Sequence, residues 1–197
     1  MAGRAALGGA MLVAVAGGAP ATAAADANAE ARAAVARAAD SVTAGRPAAA
    51  VEALREAMLT VWSAAPFDLV RVEATTATAE GFRAYAPRPD GPYTAGEPLH
   101  LYVEPIGLEY EFADGLYTMG LKADFLVLDT DGTILGGQRD FAHVPFTFHV
   151  PSTAVFMTMS LGTERLPAGD YVIQLTVRDA LGGGAATREV PFSVAAP

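Results

Sequence analysis

Near Phe67 the hydrophobic pattern of this chain changes its repeat, from roughly 3.6 residues to about 2. The switch happens once and is not reversed. That excludes alternating strand–helix units with a parallel sheet and predicts helices first, then an antiparallel sheet. Before the switch, Ala29 to Thr43 is rich in the helix formers Ala, Glu and Arg, with Val35, Ala39 and Val42 on one face. Gly45 suits the position after a helix end, and Pro47 suits the first turn of the next helix. In that second helix Val51, Leu54, Met58, Val61 and Trp62 recur at the spacing of one buried stripe, while Glu52, Arg55 and Glu56 point elsewhere. Pro66 ends it.

The N-terminus reads as a targeting segment. Arg4 is the only charge before Asp26, and Ala5 to Ala16 is an apolar stretch too short to cross a bilayer. Gly17, Gly18 and Pro20 break it, and Ala23-Ala24-Ala25 fits the small-x-small rule, so residues 1–25 are expected to be a signal peptide cleaved after Ala25. Mean hydropathy is high at +0.28, but 25 of the 43 alanines fall in the first 60 residues. No later run approaches the roughly 18 apolar residues of a span, so no membrane span is expected once the signal is removed. The absence of cysteine excludes a lipid-anchored Cys, disulfides, thiolate zinc sites and a catalytic thiol. With 13 basic against 22 acidic residues the net charge is -9, and losing Arg4 makes it -10, the wrong sign for a nucleic-acid binder. Twelve of the 13 basic residues are arginine, Lys122 being the exception, which together with the alanine excess fits a GC-rich bacterial gene. The expected location is periplasmic or secreted.

After Phe67, strands are expected at Leu69–Ala74, Leu99–Val103, Tyr117–Leu128, Thr133–Gly136, Val144–Val150, Val155–Leu161, Tyr171–Val177 and Thr187–Val194. The clearest alternation places Tyr171, Ile173, Leu175 and Val177 inward, with Gln174, Thr176 and Arg178 outward. Asp129-Thr130-Asp131-Gly132 and Gly182-Gly183-Gly184 supply turns, and Pro167-Ala168-Gly169-Asp170 a sharp approach to the Tyr171 strand. Short strands at this spacing without intervening helices predict an antiparallel sandwich.

Leu166-Pro167-Ala168-Gly169-Asp170-Tyr171, with the alternating strand ending Arg178-Asp179, resembles the penultimate strand of secreted bacterial immunoglobulin-like and fibronectin type III-like domains. Ala95-Gly96-Glu97-Pro98-Leu99 and Tyr102-Val103-Glu104-Pro105 resemble segments of an uncharacterised family of exported alphaproteobacterial proteins. The resemblance covers about residues 82–194 and implies a fold without implying any catalytic residue. An antibody-type core of two Cys around a Trp is excluded, since the one Trp lies in the helices. The helix pair resembles a single tetratricopeptide-type hairpin with no second copy. The expected fold is therefore α+β: a helical hairpin over 26–65 and an immunoglobulin-like antiparallel sandwich over 66–197.

Catalytic and metal constellations fare poorly. Fitting Asp131 and Gly132 to a calcium loop puts Val127 at the first ligand position and Gln138 at the last, so both ends of the cage are missing. His143 and His149, six apart on one strand, stand roughly 20 Å from each other. Met157 and Met159 invite Cu(I), yet with Leu161 they share one strand face, which is what core packing demands. No serine lies in a Gly-x-Ser-x-Gly elbow. Glu104, Glu109, Glu111 and Asp124 could pair as hydrolytic carboxylates only in a cleft. No catalytic residue, metal or cofactor is expected.

The most informative row is His100, Tyr102 and Glu104, expected to face outward opposite Leu99, Leu101 and Val103. Such a row can bind a sugar or a partner, since aromatics give rigid contact area with a polar tip. Tyr102 could instead lie beneath the hairpin with Trp62 against it. The expected function is a non-catalytic binding or adaptor protein with a protein partner, acting through His100, Tyr102, Glu104 or Trp62. The alternatives are a small-ligand binder for carbohydrate or copper, and a hydrolase using surface carboxylates.

Overall fold

The computed structural model describes residues 19–196, so most of the expected signal peptide lies outside the described residues. Helix α1 runs Ala19–Thr43, passing through the expected cleavage position, and α2 runs Pro47–Ala64. Between them Gly45 takes φ +67, a left-handed conformation that costs glycine little. So short a link makes the helices antiparallel neighbours.

Their contact differs from the expectation in a systematic way. The seam is made of Ala31, Ala34, Ala38 and Ser41 against Ala50, Ala53 and Ala57, all buried. Val51, Leu54, Met58 and Val61, expected to be buried, are about half exposed, and so are Val35 and Val42, expected to share one face of α1. Alanine lets two helices approach closely, and once it fills the seam the branched residues are turned to its flank. Trp62 alone behaves as the stripe reading required. It is 7% exposed, belongs to the same core cluster as the sandwich, and its Nε1–H donates to the Leu108 carbonyl at 3.1 Å. The hairpin is thus anchored to the sandwich by its last turn.

Eight strands follow: β1 (Asp68–Thr75), β2 (Leu99–Ile106), β3 (Glu111–Ala113), β4 (Leu116–Asp129), β5 (Ile134–Phe148), β6 (Met157–Leu161), β7 (Gly169–Asp179) and β8 (Ala185–Val194). One sheet has the order β1-β2-β6; the other runs β3-β4-β7-β8 with β5 also paired to β4, and every named pair is antiparallel. In immunoglobulin lettering β1, β2 and β6 take places A, B and E, while β5, β4, β7 and β8 take C′, C, F and G. The expected α+β hairpin-plus-sandwich architecture is what the chain adopts. Tyr171 sits at the start of the F-position strand, and its hydroxyl donates to the Pro167 carbonyl at 2.8 Å, the corner typical of that fold. Leu99, Leu101 and Val103 face Leu121, Ala123, Ile173, Leu175 and Val177 across the core, with Met157, Met159 and Leu161 beside them. The two methionines are packed as hydrophobes and offer no open thioether to a metal.

Two strand assignments change. Thr133–Gly136 and Val144–Val150, expected as separate strands, belong to one long β5, and the three-residue β3 carried too little pattern to be seen. The unexpected bridging stretch of β5 is a bulge. Pairing to β4 slips between Ala123 and Phe125, Asp140 has φ +49, and its N–H donates to Asp124 at 2.6 Å. Arg178 from β7 clamps both carboxylates. A bulge at mid-strand hides the periodicity of 2 on which recognition from sequence depends.

Candidate functional site

The outer face of the three-stranded sheet carries the row read from sequence. Antiparallel register places Arg71 opposite Glu104, Glu73 opposite Tyr102, and Thr75 opposite His100, with Thr158 and Ser160 on the other flank. His100, Tyr102 and Glu104 do share this face, but they do not meet water as expected. Tyr102 is 0% and Glu104 4% exposed; His100 is half-buried with its Nδ1 enclosed and unpartnered.

What covers them is the long connection from β1 to β2, residues 76–98. It folds back over the sheet as a strap. Tyr85 stacks on Tyr102 at 4.3 Å between centroids, and Phe156 stacks on the same ring at 5.5 Å. Arg83 Nε reaches both oxygens of Glu104 at 3.2 and 3.1 Å. Its backbone N–H donates to the Tyr102 hydroxyl at 3.1 Å, which donates in turn to Glu104 at 3.3 Å. Arg83 takes φ +57, a conformation that L side chains adopt at a cost of about 1 kcal/mol, and these contacts to β2, with a further one from its Nη2 to Glu104, hold it there. The Tyr85 hydroxyl donates to Glu73 at 2.7 Å, and Glu73 also pairs with Arg71.

The electrostatics follow from the contacts. Hydrogen bonds from Arg83, outweighing burial, hold the Glu104 carboxyl below the usual carboxylate range. Burial pushes the Tyr102 and Tyr85 hydroxyls up. Every charged group of the patch is answered: Glu104 by Arg83 and by Arg71 at 3.7 Å, Glu73 by Arg71 and Tyr85. A patch so saturated is closed to a sugar or a metal while the strap is down. Among the described residues no group of three or more His, Asp or Glu is placed to hold a metal ion.

Trp62 is not part of this patch. It reaches Leu108 at the end of the sandwich, and among the described residues no ring pair joins it to Tyr102. The residues that sequence reasoning missed are Arg83 and Tyr85. Their signal was the length and aromatic content of 76–98, since long connections in small domains are commonly structured and functional.

A different surface is left open. Helical geometry puts Val35 and Val42 of α1 on the same side of the seam as Leu54 and Val61 of α2, with Val51 and Met58 adjoining. These are 51, 66, 50 and 56% exposed for Val35, Val42, Leu54 and Val61. The opposite side is marked by the interhelix ion pair Arg37–Glu56 at 2.7 Å. The hairpin therefore has a charged side and an apolar side. On the charged side, a cleft of about 1210 Å³ lined by Arg37, Glu52, Arg55 and Glu56 opens between the hairpin and residues 150–154, and Met58 at its rim accepts the Thr153 hydroxyl through Sδ at 3.5 Å. Tyr110, from the segment after β2, donates to the Ser152 carbonyl at 2.6 Å, ties that loop down, and is pushed up to about 12 by burial.

No family model matches the chain, and no curated protein matches it. Among solved structures it is similar to a superoxide reductase (neelaredoxin) from Ignicoccus hospitalis. The likeness is 13% identity over 66% of this chain and 80% of that one, with a TM-score of 0.27. A match at that level carries nothing about activity. Among the described residues no helix is long and apolar enough to cross a membrane.

Proposed function

We propose that this chain is an exported, non-catalytic protein of a bacterial periplasm or cell surface, related to secreted immunoglobulin-like modules, that acts through protein–protein contacts. The observation that carries the reading is the apolar side of the hairpin. Val35, Val42, Leu54 and Val61 stay half exposed while alanines take the seam. A side of this kind is retained at a cost in solubility and is commonly an interaction surface. It replaces His100, Tyr102 and Glu104 as the binding surface, because the strap already occupies those residues. Trp62 serves the same surface indirectly, by fixing the hairpin's last turn to the sandwich.

The test is a photo-crosslinking residue at Val61, with Glu189 on the far sheet as the control position, expressed from the full-length chain in its own cell envelope. The expected outcome is a discrete adduct from position 61 and none from 189. Equal labelling at both positions, or none at either, overturns the reading.

A further inference from the structure

We infer that the occupant of the hairpin's apolar side is a second copy of this chain, two hairpins pairing about a twofold axis into a four-helix core. The inference rests on the reading above and names the partner. Its first support is charge. Residues 26–65 carry four arginines and five acids, a net of 4 − 5 = -1, whereas residues 66–197 carry eight basic and 17 acidic groups, a net of 8 − 17 = -9. The sandwich repels another copy of itself; the hairpin does not. Pairing hairpin to hairpin buries the near-neutral side and leaves the acidic sandwiches out of the contact.

The second support is composition and area. Val35, Val42, Val51, Leu54 and Val61 are residue types of a bundle core, and Arg37–Glu56 is turned away from them. Taking half-exposed side chains of this size, the side offers roughly 450 Å² per copy, so pairing two copies removes about 900 Å² before flanking alanines and arginine stems are counted. That total lies below the range of about 1,200–2,000 Å² seen in stable complexes and matches a weak, reversible dimer. Interfaces of homodimers are also more apolar than those of transient partners, as this side is. From Val42 at one end to the level of Val61 at the other the strip is roughly 18 Å long, enough for about three turns of facing helix.

The experiment uses protein expressed from the full-length sequence and purified as the cell delivers it. Sedimentation velocity from about 1 to about 100 µM is expected to show a monomer–dimer equilibrium with a micromolar constant. The double variant Leu54→Asp, Val61→Asp should raise the dissociation constant at least about a hundredfold while leaving the circular dichroism unchanged. As a readout that does not depend on that variant folding, the cysteine-free chain allows a single spin label at Val42→Cys. A label there should show a short intermolecular distance, and one at Glu189→Cys should not. A monomer at every concentration, or a dimer indifferent to Leu54→Asp, Val61→Asp with remote Val42 labels, overturns the inference. In that event the Val61 crosslink separates the two readings: an adduct with another protein retains the binding role, and no adduct removes both.

Discussion

Glu104 shows how much one side chain can decide. It stands on a strand whose alternation pointed it toward water, yet Arg83 and Tyr102 close around it. Because its carboxyl is held below the ordinary glutamate value, its contribution to stability is complete above that ordinary value. It is lost as the pH falls through the lowered folded value. Glu104→Gln should therefore lower the melting temperature by several degrees at pH 7, and the gap to the parent should close below about pH 4. The guanidinium of Arg83 is largely exposed, so the effect stays below that of a wholly buried pair. Thermal melts of both proteins across that range decide it; a gap that does not change with pH would show that Glu104 acts by packing alone.

At the scale of the element, the hairpin and the strap obey opposite rules. The hairpin is regular and legible as two helices, but its contact surface is the alanine face and the branched stripe lies beside it. Alanine appears all round these helices, so spacing cannot say which alanines touch. Only the partner helix selects them. Ala34, wholly buried in the seam, has no room for a larger side chain, and Ala34→Leu should cost about 1–3 kcal/mol by overpacking. Hydrogen exchange should place that loss in α1 and α2 while β7 keeps its protection. Uniform loss across the chain would mean that the seam and the sandwich unfold as one. The strap, by contrast, has no period to read: its position comes from Tyr85 and Arg83 finding partners on β1 and β2, contacts 12 to 21 residues distant in sequence. Edge β5 is irregular for a protective reason. Its bulge at Asp140 and its Pro145 break the row of free donors that would otherwise recruit another strand.

For the whole molecule, Trp62 joins helices and sandwich into one packed core. Truncation to alanine removes a large buried ring and leaves the Leu108 carbonyl unanswered. Trp62→Ala should cost roughly 3–5 kcal/mol. It should also raise amide exchange in α1 and α2 more than in β4 and β7; equal protection before and after would show that other contacts secure the hairpin.

Much of this was legible from local pattern. The change of repeat at Phe67, the turns at Asp129–Gly132 and Gly182–Gly184, and the inward Tyr171, Ile173, Leu175 and Val177 each depend on neighbours a few residues away. Chain sterics and the two side-chain periods are therefore enough to order helices before an antiparallel sandwich. Which faces meet water is a different kind of question. Alternation tells the two faces of β2 apart, but it cannot say that 76–98 will bury the second one, and helical spacing cannot say that alanine rather than valine will fill the seam. Burial is a relation between segments distant in sequence, so the closing of Tyr102 and Glu104 and the opening of Val35, Val42, Leu54 and Val61 were decided only when the chain had folded.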